Sequence, residues 1–172
     1  MSDLMDQVTA DQDPLKKLLS KVPGFNGFIE RQNRRAADAL LRETIALKFH
    51  DQWKRVSELQ QEFASAGELA VLDDLETAAT KIQTFIDKIQ NAARGYSSFF
   101  DAVKVNEEEL AKIYEFDAAL LDMADGIGSA IDNVQSSVGT DGLPAAVRHL
   151  VSMARDLVST FDQRDEVVKG VQ

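Results

Sequence analysis

Residues 72–93 read LDDLETAATKIQTFIDKIQNAA. Leu72, Leu75, Ala79, Ile82, Ile86, Ile89 and Ala93 recur at alternating steps of three and four. That repeat lays one apolar seam along an α-helix and suits the shallow left-handed packing of helical bundles. The opposite face is charged or polar, and no Gly or Pro interrupts it.

Three further segments carry seams of the same kind. One runs near 28–64, with Leu41, Ile45, Phe49, then Gln52 or Trp53, Val56, Leu59 and Phe63. A second covers 107–137, with Leu110, Ile113, Asp117, Leu120, Ala124, Ile127, Ile131 and Val134. The third covers 143–168, with Val147, Leu150, Ala154, Leu157 and Phe161. Upstream, Asp13-Pro14 reads as an N-cap followed by Pro at the first helical position. Leu15, Leu18, Leu19 and Val22 then form a short stripe that Pro23-Gly24 stops.

The breaks are equally readable. Ser65-Ala66-Gly67-Glu68 fits a capping box, so the helix near 67–94 is expected to start there. Arg94-Gly95 supplies a terminal cation and a Gly stop. Residues 96–105, YSSFFDAVKV, leave the heptad and read as a structured connection; Asn106 then caps a helix whose first turn is Glu107, Glu108 and Glu109. Gly139 to Gly142 forms a turn, with Pro144 in the first turn after it. The expected fold is all-α: an antiparallel four-helix bundle with a long first helix and a short extra N-terminal helix. Residues 1–12 are expected to be a flexible acidic tail, and 13–170 one helical domain.

Composition sets bounds. The chain has 172 residues, 44% hydrophobic and 28% charged, enough for one sizeable core. It has no cysteine, which removes disulfides, thiolate zinc sites and cysteine nucleophiles and suits a reducing cytosol. The first residues lack the apolar stretch of a secretory signal, and no apolar run is long enough to span a bilayer. The expectation is a cytoplasmic protein, with a place against the inner face of the membrane as the variant. A net charge of −10 argues against nucleic acid as partner.

Catalytic and metal-binding chemistry needs particular residue types at set spacings. A di-iron bundle needs Glu-x-x-His on two helices. The residues three before His50 and His149 are Leu47 and Ala146, so both motifs are missing. No nucleophile elbow or phosphate-binding glycine loop occurs. Gly126-Ile127-Gly128 lies inside a helical pattern and reads as close helix packing. No catalytic, cofactor-binding or metal-ligating residue is therefore singled out, and no cofactor is expected. Asp117 is the exception among the acids. It falls on a seam, where a carboxylate needs a basic or hydrogen-bonding partner from another helix. An Arg partner fixing register is the preferred reading, ahead of a local shift that exposes it or a catalytic role.

Charge is unevenly spread. Residues 14–55 hold ten Lys and Arg against four acids, while 56–172 hold nine against 21. Lys16, Lys17, Lys21, Arg31, Arg34, Arg35 and Arg42 carry the basic stretch, with Phe25 and Phe28 between its two clusters. Aromatics beside Arg are the composition of interface cores. The plain alternative is a solvated face laced with i, i+4 pairs such as Arg34–Asp38, the two Phe rings covering the end of a bundle.

Three strings carry a resemblance: VPGFNGFIERQNRRAAD at Val22–Asp38, GYSSFFDAVKVNEEEL at 95–110 and IYEFDAALLD at 113–122. The chain resembles a family of uncharacterised bacterial all-helical proteins that share this order of a PGF turn, an Arg-rich helix start, an FFDAVKV connection and a YEFD helix. Ala37 stands where the family pattern has an acid. The resemblance covers about residues 14–166 and implies an all-helical fold and a link with band-7 (SPFH-type) membrane scaffolds. It assigns no residue a role.

The functional expectation is a non-enzymatic, coiled-coil-like scaffold or interaction protein. It would self-associate or dock to a larger assembly through the basic N-terminal region. The alternative is a peripheral adaptor binding anionic lipid or a membrane scaffold protein through the same residues, and a metal-binding or enzymatic bundle comes third.

Overall fold

The computed structural model describes residues 14–92 and 107–169. Those residues form six α-helices packed against one another: α1 (Pro14–Lys21), α2 (Phe25–Glu30), α3 (Arg34–Ala66), α4 (Leu72–Asn91), α5 (Glu107–Ser136) and α6 (Leu143–Lys169). A 3₁₀ turn, Leu69–Val71, leads into α4. The expected cap at Asp13, the Arg94-Gly95 stop, the 95–106 connection and the Asn106 cap lie outside the described residues. So do the whole acidic tail, residues 1–12, and the chain end.

Two breaks differ from the sequence reading. The first long helix does not begin near residue 28; α2 ends at Glu30 and α3 begins at Arg34. The stop has the hydrogen bonds of a Schellman motif, with Asn33 N–H donating to Phe28 O (2.9 Å) and Gln32 N–H to Ile29 O (3.0 Å). Gln32 takes the left-handed conformation, φ 55°, that this motif usually gives to Gly. Asn33 then caps α3, its side-chain oxygen accepting from Ala36 N–H at 3.1 Å. The second difference is at Ser65. It is no N-cap, because it lies inside α3. Gly67 at φ 79° ends that helix, with Glu68 N–H donating to Phe63 O and Gly67 N–H to Ala64 O. A Gly that can close a Schellman stop outcompetes a Ser cap whose use would require leaving the helix two residues earlier.

α3 packs on α4 and α5, α6 packs on α4 and α5, α1 lies on α5, and α2 lies on α3. Directions follow from the bonds. Arg42 reaches Ile89 O and Gln60 reaches Glu76, so α3 and α4 are antiparallel. Arg55 reaches Gly128 O and Asp132, while Asp38 and Asp117 share Arg164, so α3 and α5 run parallel. α6 opposes α5, since Arg164 meets Asp117 while Met153 lies over Gly126. The consecutive helices α4 and α5 therefore stand across a diagonal, and two of the four neighbouring pairs are parallel. The expectation of antiparallel neighbours throughout is corrected to that extent. A connection as long as 93–106 permits the diagonal step, which a tight turn would forbid.

The seams supply the core. Leu41, Ile45, Phe49, Leu75, Ile82, Ile89, Leu120, Ile127, Ile131, Leu150 and Leu157 are all buried. Phe85 joins three helices, edge-on to Phe49 (4.7 Å between centroids) and to Phe161 (5.8 Å). Gly126 and Gly128 fall where α5 meets Met153 of α6 and Gln52 and Arg55 of α3. Among the described residues no helix is long and apolar enough to cross a membrane.

Candidate functional site

Among the described residues three charged side chains are buried among the apolar seams: Asp38, Asp117 and Arg164. Arg164 is fully enclosed. Its Nε donates to Asp117 Oδ1 at 2.7 Å and its Nη2 to Asp117 Oδ2 at 3.2 Å and Asp38 Oδ1 at 2.7 Å. Asp38 Oδ2 in turn accepts from Arg42 Nε at 2.8 Å, and Arg42 Nη1 reaches Ile89 O. Two carboxylates and two guanidiniums thus form a neutral chain through α3, α5 and α6, with Arg42 adding a contact to α4. The planar guanidinium fork of Arg164 matches this two-carboxylate geometry as a Lys could not. Asp38 is therefore not the solvated i, i+4 partner that the Arg34–Asp38 spacing suggested. It joins helices that otherwise stand across the diagonal.

Burial pushes the Asp117 carboxyl above its ordinary range, and the charge and hydrogen bonds of Arg164 hold that rise in check. Tyr114 stands one turn earlier on α5, buried and edge-on to Phe25 (5.6 Å, 88°). Its hydroxyl makes no hydrogen bond among the described residues. Burial, with the nearby Asp117 charge adding to it, pushes that phenol up to about 12, against the pull of Arg34.

The basic stretch is divided by the fold. Phe25 is core, 0% exposed, so it is removed from the expected contact surface. Arg42 belongs to the buried chain, its side chain 11% exposed. Lys17 pairs with Asp122 of α5 (2.5 Å), and Lys21 with Asp122 (3.4 Å) and Asp125 (3.3 Å). These pairs clamp α1 onto α5. Lys16, Arg31 and Arg35 are exposed, Arg34 and Phe28 half-buried, and the Arg31 guanidinium lies 5.2 Å from the Phe28 ring centroid. Leu19 of α1 is also exposed.

Behind this face lies a cavity of about 690 Å³. Its walls are Pro14 and Leu15 of α1, Phe28, Ile29, Gln32 and Asn33 around the α2–α3 break, Arg34, and Leu110, Ala111, Tyr114 and Glu115 of α5. Sequence reasoning had no access to it, because it arises from the break at Gln32 and from α1 lying on α5.

Neither histidine meets a metal set. His50 stacks on Trp53 (5.8 Å, 13°) and His149 is exposed. Among the described residues no group of three or more His, Asp or Glu side chains is placed to hold a metal ion. Comparison of the chain with protein-family models, with curated proteins and with solved structures returns no match.

Proposed function

We propose that this is a non-enzymatic interaction protein whose docking face is α1, α2 and the start of α3. The four long helices act as a bundle frame, and the internal charge chain fixes their register. The observation that carries the reading is the placement of cations at helix starts. Lys16 and Lys17 fall in the first turn of α1, and Arg34 and Arg35 open α3; neither helix has an acid in its first turn. A helix N-terminus is already the positive end of the macrodipole, so cations there oppose local helix stability. Lys17 is already held by Asp122, but Lys16 and Arg35 stand exposed at these starts, and contact with an acidic partner would offset their local cost. That partner is a larger assembly or the acidic flank of a second copy, met in the cytosol. Phe28 beside Arg31 supplies the aromatic contact such interfaces use.

A membrane surface is the second reading, favoured by the exposed Leu19 one turn from Lys16. Eight residues of α1 give such a helix a weak hold on lipid. The test changes Lys16, Arg31 and Arg35 together to Glu and leaves half-buried Arg34 in place. Capture of an acidic protein partner from native cells, or salt-sensitive self-association in light scattering, should fall sharply while the melting curve is kept. Loss of co-sedimentation with phosphatidylglycerol vesicles instead would favour the membrane reading. Unchanged association at every ionic strength would leave this face solvated and the reading wrong.

A further inference from the structure

We infer that the partner of the basic face is a second copy of this chain, which offers the far end of its bundle, the turns at 67–71 and 137–142. The inference rests on the docking face proposed above and names the surface that face meets.

The topology brings the two turns together. One joins α3 to α4 and the other joins α5 to α6. α3 runs parallel to α5 and packs on it, and α4 packs on α6, so both turns stand at one end of the bundle. α1, α2 and the start of α3 stand at the other end, roughly 50 Å away along the 33 residues of α3. The helix ends next to undescribed residues lie there too: Pro14 is beside Leu110, Ala92 is beside Lys169, and Arg164 meets Asp117. The two turns and the helices flanking them are described throughout.

Each turn presents an apolar side chain to solvent, Leu69 at 65% exposure and Val138 at 44%. The stretches that run into and out of the turns, 56–80 and 126–147, hold six and two acids and no Lys or Arg. Glu62, Asp73, Asp74 and Asp141 are exposed, and none joins an ion pair among the described residues. Asp122 and Asp125, nearer the basic end, already hold Lys17 and Lys21.

The basic face is the counterpart in charge and in apolar content. Lys16, Arg31 and Arg35 are exposed there with Leu19, around half-buried Phe28. Cations would meet acids, and the apolar side chains of each face would meet across the contact. A foreign acidic partner would satisfy the basic face and leave the opposite end unaccounted for. A second copy satisfies both faces, which stand too far apart to meet within one molecule. Each copy that docks keeps its own other face open, so the contact is heterologous.

Light scattering of the full chain at low ionic strength tests this. Association should rise with protein concentration and fall in high salt. Glu62→Lys with Asp141→Lys should weaken it by about tenfold or more. Leu69→Ser with Val138→Ser, which leaves every charge in place, should weaken it by about threefold or more; it carries the test if the first variant melts early. The Lys16, Arg31 and Arg35 to Glu variant and the Glu62, Asp141 to Lys variant should each stay monomeric where wild type associates. Mixed, they should associate, because each keeps the face that the other lacks.

A wild type that stays monomeric overturns the inference, whether or not its acidic end captures a foreign basic protein, and leaves the docking face to its own capture test. Association lost in the basic-face variant but kept in both acidic-end variants overturns the inference alone. So do two monomeric variants that fail to associate when mixed. Association kept in the basic-face variant overturns this inference and the docking face together.

Discussion

Asp117 and Asp122 sit little more than a turn apart on α5, and the fold treats them in opposite ways. Asp117 faces inward to Arg164 with neither side chain exposed, and burial raises its carboxyl pKa. Asp122 faces outward to Lys17 and Lys21 at 49% exposure. It feels some desolvation too, but the two lysines outweigh it and hold its pKa below the ordinary value. The linkage signs are opposite. A raised folded pKa means the folded state holds the proton more tightly, so the Asp117 contribution falls as pH rises out of the acid range. A depressed one means the Asp122 contribution is present above its unfolded value, near 3.9, and is lost as pH falls below it. Ion pairs with similar chemistry on one helix thus serve different ends. The inner pair specifies which helices meet, and the outer pair holds a short helix in place.

The most direct way to break this comparison is to remove the inner cation. Arg164→Met should destabilise the protein by about 3–5 kcal/mol in urea unfolding, since the enclosed Asp117 loses its partner. A cost under about 1 kcal/mol would mean water reaches the carboxylates and the inner site is not truly dry. Asp117→Ala should cost about 3 kcal/mol for the reciprocal reason. Asp117→Leu combined with Arg164→Met should come back to within about 1 kcal/mol of wild type, because Asp38 keeps Arg42 and a buried ion pair is often worth no more than an apolar replacement.

These residues also show how far the sequence could be read. Asp117 was visible because it interrupts an apolar seam on both sides. Arg164 was equally visible in principle. The α6 seam runs Val147, Leu150, Ala154, Leu157, Phe161, and the next steps of three and four fall on Arg164 and Val168, both buried. Asp38 likewise stands three before Leu41. Taking a seam to end where its residues turn polar hides the positions where buried charge belongs. Other features left no local trace. Lys17 and Lys21 find their acids about a hundred residues away, and no period in the sequence announces that. The diagonal placement of α4 and α5 depends on a connection whose length permits several paths. The α2–α3 break uses Gln at the left-handed position, where Gly or Asn would have signalled it.

Tyr114 sharpens the comparison from the other side, as a buried titratable group with no ion partner. Its phenol titrates near 10 unfolded and is pushed up to about 12 in the fold, so the folded state prefers the neutral form. That preference is fully present below about pH 10 and lost as pH rises toward 12, a change of about 2 kcal/mol. Tyr114→Phe should be more stable than wild type at pH 7 by about 1 kcal/mol, because it removes a buried hydroxyl that has no partner among the described residues. The variant should melt above wild type near pH 11. Identical alkaline curves would place the hydroxyl in contact with solvent.

Gln32→Gly tests the α2–α3 break. A non-glycine residue at φ 55° is strained, and relief is partly offset by the greater freedom of Gly in the unfolded chain. A gain of about 0.5 kcal/mol in urea unfolding is expected; a loss of that size would show that the Gln32 side chain contributes more than its backbone strain costs.

The smallest effect should be at the outer pair, and it separates the two regions by salt as well as by size. Asp122→Asn removes the carboxylate that Lys17 and Lys21 share, leaving Lys21 with Asp125. At this exposure solvent screens most of the attraction, so the cost at pH 7 and low ionic strength should be about 0.5 kcal/mol. It should shrink toward zero in molar salt, where the Debye length is about 3 Å, and disappear as wild-type Asp122 is protonated in acid. The Arg164→Met loss should persist in the same salt, because ions do not enter a site with no exposed surface. Equal salt sensitivity of the two variants would erase the distinction between the inner and outer carboxylates of α5.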